Sequence, residues 1–208
     1  MNSEKGFFIL KTNEEKIKII LNNVYTMLRN RIYINKEGDK MPMLDDNPDE
    51  TKNYEHFEDK ANGVFIIETK NGEIFSINII FQKITATGKQ SVITDFIKTY
   101  AAYKKIIIAK EYNSKILDFV TKYNTQIFKE EALLMNIIDH CDQPRFELLS
   151  PKETELVKKE YNITDYTTKK ILKIDPIVKY YGLKKGDYIR IIRPSPTAGE
   201  VCDYRIVF

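Results

Sequence analysis

The sequence predicts an α/β chain, α+β overall: a mixed-sheet N-terminal domain over residues 1–143 and a small C-terminal α+β domain over residues 144–208. Three observations predict it. Two β-rich runs flank Lys70-Asn71-Gly72-Glu73, and Asn-Gly between such runs is the strongest short hairpin signal. Helix-like and strand-like runs then alternate from Lys89 to Phe128, which requires crossovers and a partly parallel sheet covered by helices. Finally, turn residues around Asp142-Gln143-Pro144-Arg145 precede a separately capped helix, placing a domain boundary near residues 141–146.

The elements follow in order. Thr12-Asn13-Glu14-Glu15 is a capping box introducing a helix to about Arg29, with Ile17, Ile20, Leu21, Val24 and Leu28 as its buried stripe. From Asn35 to Asn62 the chain turns polar, with Gly38, Pro42, Pro48 and the acidic run 45–50. It reads as a long loop or partly disordered excursion. Order returns with strands Val64–Thr69 and Ile74–Phe81, a helix from about Lys89 to Tyr103 and a strand Lys105–Ala109. A helix Ser114–Tyr123 and a strand Thr125–Phe128 follow, joined by right-handed crossovers.

In the second domain, Ser150-Pro151-Lys152-Glu153 caps a helix to about Tyr161. Asp175 caps another, Pro176 suits its first position and Gly182 the left-handed residue after its last turn. Ile177, Val178 and Tyr181 share one side of that helix. Residues 184–187 form a turn, Tyr188–Arg193 a strand, Pro194–Gly199 an irregular loop and Glu200–Phe208 a closing strand. The expected register sets Arg193 opposite Glu200, Arg190 opposite Asp203 and Tyr188 opposite Arg205. It puts Ile189, Ile191, Cys202, Tyr204 and Ile206 on one apolar face that needs covering, by helix 175–181 and by a partner.

Composition narrows the function classes. With 33 basic against 30 acidic residues the net charge is +3, too weak a balance to demand nucleic acid. The longest apolar runs, near Ile106–Ala109 and Ala132–Met135, are too short for a transmembrane helix, so no membrane role is expected. The first residues lack a secretory pattern. Cys141 and Cys202 supply neither a disulfide framework nor metal-knuckle spacing, which suits a reducing compartment.

Candidate chemistries are few. Pro48-Asp49 followed by Glu68-Thr69-Lys70 spells the pattern of Mg²⁺-dependent nucleases, in which two carboxylates hold the ion and the lysine steadies the attacking water. That nuclease is the alternative reading, although Asp49 lies in the polar excursion. Gly88-Lys89 opens a helix like the end of a phosphate loop, but Lys83 stands where glycine is required and Gln90 where Ser or Thr is. His140 and Cys141 lack two further ligands, so no metal or cofactor is expected, and no catalytic residue is assigned. Lys83, Lys89, Lys98, Lys104, Lys105 and Lys110 offer distributed cations for sequence-independent phosphate contact, with Lys83, Lys89, Lys104 and Lys105 the DNA-proximal candidates.

One stretch exceeds what folding requires. Residues 175–208 carry DPIVKYYGLKKG, then IIRPSPTAG, then YRIV. This series resembles the assembly domain of the shared fifth subunit of eukaryotic RNA polymerases, a domain with a counterpart in archaeal polymerases. Asn136-Ile137-Ile138-Asp139-His140 and Leu149-Ser150-Pro151-Lys152-Glu153 resemble upstream family segments, and Asn30-Arg31-Ile32-Tyr33 and Gly88-Lys89 are weaker landmarks. Two departures stand out: Pro196 where the family usually has Glu, and Phe146 where it commonly has His.

The resemblance implies an N-terminal "jaw" domain similar in fold to restriction endonucleases, lying beside downstream double-stranded DNA, and an assembly domain docked on the largest subunit. It also implies other polymerase subunits as partners, phosphoryl transfer performed by the two largest subunits, and a cellular or large-DNA-virus source. The chain would then work in the nucleus or, if viral, in the virion and host cytoplasmic factory. Interface residues expected on this footing are Asp175, Pro176, Tyr180, Gly182, Arg193, Pro194, Ser195, Thr197, Gly199 and Arg205.

Overall fold

Helix α1 (Asn13–Asn30) starts where its capping box requires. The Thr12 N–H donates to Glu15 Oε2 at 2.9 Å, and the Glu15 N–H donates to Thr12 Oγ1 at 3.3 Å. Ile20, Leu21, Val24 and Leu28 are buried as their spacing predicts, joined by Tyr25 and Met27, while Ile17 is half-buried. The structure, a computed structural model, describes residues 12–61, 63–85, 91–136, 138 and 143–208. The expected placements of Gly88, Lys89, His140 and Cys141 lie outside the described residues. Contacts gather the chain into two units interleaved in sequence: residues up to Val24, Asp49–Ile67 and Ser76–Met135, and residues Tyr25–Pro48, Glu68–Phe75 and Asn136–Phe208.

The first unit is built on a five-stranded sheet. Its strands β3 (Glu58–Ala61), β4 (Val64–Glu68), β5 (Ile74–Ile84), β6 (Lys104–Tyr112) and β7 (Thr125–Lys129) lie in the order β3-β4-β5-β6-β7. β3 and β4 are antiparallel, whereas β6 and β7 are parallel, with α3 (Ser114–Lys122) as the crossover that sequence alternation predicts. Helix α2 (Val92–Thr99) precedes β6 and the short α4 (Glu130–Leu134) follows β7. Ile93, Phe96, Ile97, Ile107, Ile116, Val120 and Ile127 form the core between helices and sheet. Each such side chain contributes roughly 1.5–3 kcal/mol by leaving water.

Two elements differ from expectation. α2 ends at Thr99, short of Tyr103: the Tyr100 N–H makes the last helical bond, to the Phe96 carbonyl at 3.0 Å, and the Tyr103 N–H then turns back to the Tyr100 carbonyl at 3.0 Å. The polar stretch after Asn35 is built rather than a loop. It holds β2 (Lys40–Pro42), which pairs antiparallel with β1 (Ile32–Ile34), then a 3₁₀ helix Glu50–His56, then β3. Its polar residues serve turns and caps: Asn35 Oδ1 accepts from the Glu37 and Asp39 N–H groups at 3.0 and 2.7 Å.

The second unit contains a four-stranded sheet in the order β8-β10-β11-β9, from β8 (Arg145–Leu148), β9 (Lys169–Ile171), β10 (Tyr188–Ser195) and β11 (Gly199–Val207). β10 is antiparallel to both β8 and β11, and β9 runs parallel to β11. α5 (Pro151–Glu160) begins with the predicted reciprocal box: the Ser150 N–H donates to Glu153 Oε2 at 2.7 Å and the Glu153 N–H to Ser150 Oγ at 3.3 Å. α6 (Pro176–Tyr181) has the predicted Asp175 cap and Gly182 at φ +65°. No sequence pattern predicts β8 and β9; at four and three residues they are too short to show a period.

The hairpin register differs from the expected one by a single residue. Arg193 lies opposite Val201, Arg190 opposite Tyr204 and Tyr188 opposite Ile206. The cause is the turn. The strands extend through Pro194 and Ser195 to a three-residue connection, Pro196-Thr197-Ala198, closed by Gly199 at φ +73°. A one-residue slip exchanges faces. Ile189 and Ile191 therefore pack with Val207, Ile171, Leu183 and Val178 of α6, whereas Tyr188 and Ile206 pack with Leu149 and Val157 of α5. Both faces of the β10–β11 ribbon are thus covered near its base, in place of the single open apolar face expected.

Candidate partner-docking surface

The β10–β11 tip is held rigid from within. Ser195 Oγ accepts the Ala198 N–H at 3.3 Å and lies 3.3 Å from Thr197 Oγ1. Pro194 sits in the strand beyond the reach of β8, which pairs only with Ile189–Ile192, so its missing donor leaves no gap in that ladder. Arg193, Pro194, Thr197 and Gly199 are exposed and Ser195 is half-buried. A fixed loop of small and rigid side chains therefore projects into solvent, ordered before any partner arrives.

Other interface candidates have internal duties. Asp175 accepts the Ile177 N–H at 2.9 Å as the cap of α6, and Pro176 beside it is exposed. Tyr180 is buried; its hydroxyl accepts from Asn30 Nδ2 at 3.2 Å and its carbonyl from Arg31 Nε at 2.8 Å. Arg31 Nη2 reaches the Lys179 carbonyl at 3.0 Å. One buried guanidinium thus donates to two carbonyls at the end of α6, that of Tyr180 and that of Lys179, which also accepts the Gly182 N–H at 3.2 Å. Burial pushes the guanidinium down to about 10, partly offset by Tyr180, so it stays charged at neutral pH.

Gly182 packs against the same group: a Cβ there would stand 3.2 Å from Arg31 Cζ. Arg205 is half-buried and bonds Asp203, which also pairs with Lys169 at 2.8 Å. Arg31 is the residue that sequence reasoning used only as a family landmark. A lone arginine after a helix carries no signal of burial.

The lysines separate. Lys83 is exposed but paired with Glu111 at 2.7 Å, which holds that carboxyl below its usual range. Lys104 is half-buried. Lys105 is buried, its ammonium donating to the Tyr103 carbonyl at 2.9 Å and lowered in pKa by desolvation, so it presents no free cation to a phosphate. Lys89 lies outside the described residues.

Nuclease chemistry gains no support. Asp49 caps the 3₁₀ helix, accepting the Thr51 N–H at 3.2 Å and its hydroxyl at 2.5 Å. Lys70 forms an ion pair with Asp45, and Glu68 stands exposed at the end of β4. Among the described residues no group of three or more His, Cys, Asp or Glu could hold a metal ion, and no helix is long and apolar enough to cross a membrane.

Comparison with known proteins bears on the whole chain. The family model for the C-terminal domain of RNA polymerase Rpb5 matches residues 135–207. The DNA-directed RNA polymerase subunit 5 of Acanthamoeba polyphaga mimivirus is 51% identical over 199 residues, covering 96% of this chain and 95% of that one. The RPABC1 subunit of DNA-directed RNA polymerases I, II, and III of Caenorhabditis elegans is 34% identical over 90 residues, 43% of each chain. DNA-directed RNA polymerase subunit Rpo5 of Methanocaldococcus jannaschii is 41% identical over 73 residues, 35% of this chain and 94% of its own.

Proposed function

The chain belongs to the fifth-subunit family of DNA-directed RNA polymerases, and from that premise we propose that it is a non-catalytic assembly subunit whose C-terminal domain docks on the largest subunit through the β10–β11 tip. The observation that carries this reading is the tip itself. Arg193, Pro194, Thr197 and Gly199 stand exposed on a loop fixed by its own hydrogen bonds, while the strands beneath are already covered by α5 and α6. A preformed loop docks without the entropy cost of ordering it.

Under the same proposal, residues 1–143 form the jaw, of restriction-endonuclease-like fold, beside downstream double-stranded DNA. Contact there is sequence-independent and weak for this chain alone, with Lys83 and Lys104 its described cationic candidates. The two largest subunits carry out phosphoryl transfer. The mimivirus relative fits an origin in a large DNA virus, for which the working sites are the virion and the host cytoplasmic factory; a cellular source would place the chain in the nucleus. A tagged full-length chain should co-purify stoichiometrically with the large polymerase subunits from its native source. Recovery as a free monomer there would sink the proposal.

A further inference from the structure

At the β9 end of the four-stranded sheet, three large apolar side chains stand in water: Leu172 is 56% exposed, Ile174 64% and Phe208 55%. Backbone bonds hold them in one place. The Phe208 N–H donates to the Ile171 carbonyl at 2.9 Å, the Lys173 N–H to the Phe208 main-chain oxygen at 3.2 Å and the Asp175 N–H to the Leu172 carbonyl at 3.0 Å. β9 is the last strand of its sheet, with no strand beyond it among the described residues.

The rim of this patch is basic. Lys170 and Lys185 set their ammonium groups 4.5 and 4.8 Å from the centroid of the Phe208 ring, and Lys173 and Lys184 are exposed beside it. The acids next to them in sequence accept backbone N–H groups and keep their charge, Asp187 from Lys184 at 2.7 Å and Asp175 from Ile177 at 2.9 Å. Among the described residues none of these four lysines has a carboxylate partner. A patch with an apolar centre and four lysines outside any described ion pair, beside only the two carboxylates of Asp175 and Asp187, carries an excess of positive charge and is complementary to a segment of the opposite pattern.

We propose that this patch docks an extended acidic segment of another protein, with apolar side chains set between its carboxylates. The apolar centre excludes water only if the covering chain also neutralises the lysines, because unpaired charges at the border of a dry contact are costly. Lysines around a sheet edge disfavour a neutral strand, which would desolvate them without a partner, and an acidic strand removes that cost. Nucleic acid satisfies the lysines but leaves Leu172, Ile174 and Phe208 in water. The patch lies at the opposite end of β11 from the Gly199 tip, and the inference does not depend on docking there.

The test uses the full-length chain and three fluorescein-labelled nonapeptides: alternating Glu and Leu, alternating Lys and Leu, and alternating Glu and Ser. Fluorescence anisotropy should show binding of the Glu/Leu peptide alone. Lys173→Glu with Lys185→Glu should weaken it about tenfold or more, as should Leu172→Ser with Ile174→Ser, while Arg193→Ala leaves it unchanged. All these side chains are exposed, so circular dichroism should report an intact fold.

Equal binding of the Glu/Ser peptide or of a short duplex DNA overturns the proposal, as does indifference to the lysine reversal. In the assembled polymerase, a photo-crosslinking residue in place of Ile174 should capture an Asp- or Glu-rich segment of a neighbouring subunit. Capture of DNA or of a basic segment would also overturn it. Failure of the chain to enter the polymerase would instead count against the proposed function, and the peptide measurement stands apart from that.

Discussion

Arg31 and Tyr180, far apart in sequence, meet where the buried guanidinium donates to the Tyr180 carbonyl at 2.8 Å and, through its second arm, to the Lys179 carbonyl at 3.0 Å. The contact ties the residue following α1 to the end of α6. Replacing Arg31 with Met removes both donors and leaves the buried Tyr180 carbonyl without its guanidinium partner, at about 2 kcal/mol after allowing for the relief of burying no charge. Arg31→Lys should recover only part, since one ammonium lacks the fork that serves both carbonyls. Urea denaturation of the full chain, followed by near-ultraviolet dichroism, measures the loss. Equal midpoints for wild type and Arg31→Met would contradict it.

Gly182 and Gly199 separate two costs of adding a side chain. Both have positive φ, but a Cβ at Gly199 meets nothing within 4 Å, while one at Gly182 stands 3.2 Å from the Arg31 guanidinium. Gly199→Ala should cost about 1 kcal/mol from backbone strain alone, and Gly182→Ala about 2 kcal/mol or more. In an Arg31→Met background the excess at Gly182 should shrink, which a double-mutant cycle on thermal midpoints resolves.

Glu153 gives a pH signature. Partial burial opposes its ionisation, yet the hydrogen bonds from Lys40 and Ser150 hold its carboxyl below the usual range. A depressed folded pKa contributes stability that is present above the unfolded value of about 4.3 and lost as pH falls through the folded one. Glu153→Gln should therefore cost stability at pH 7, converge with the wild type at acid pH and so flatten that part of the acid-unfolding curve. Ser150→Ala should cost about 1 kcal/mol at pH 7 through the lost cap and should also weaken the acid slope, since the Ser150 side chain helps hold the Glu153 carboxyl down. A wild-type acid slope that Glu153→Gln leaves intact would rule out this origin.

Arg193→Ala and Thr197→Ala test docking at the tip. Both side chains are exposed, so stability should change by no more than about 0.5 kcal/mol. Recovery of large subunits on the tagged variants should fall. Undiminished recovery from the double variant would remove the tip from the interface.

Lys105→Met should leave DNA retention by the assembled polymerase unchanged across a salt titration, because the Lys105 ammonium is spent on the Tyr103 carbonyl. A reduced salt slope in that variant would show the side chain reaching a phosphate after all.

What the sequence determined by itself was local or inherited. The boxes at Thr12–Glu15 and Ser150–Glu153, the Asp175 cap and the left-handed Gly182 depend on residues within a turn or two of one another, and each forms where the local pattern puts it. So does the parallel β6–α3–β7 unit, whose strand–helix alternation leaves few topologies. The run from Asp175 to Phe208 carried the family signature and hence the polymerase assignment.

Tertiary structure alone decided the rest. The β10–β11 register turned on whether Pro194 and Ser195 join the ladder, and one residue of difference gave Ile189 to α6 and Tyr188 to α5. β8 and β9 exist because a neighbouring strand offers hydrogen bonds; three or four residues have no period of their own. Arg31 is buried, and Leu172, Ile174 and Phe208 exposed, for the same reason. Burial depends on what the rest of the chain brings alongside, and that is a relation between distant residues that no local pattern encodes.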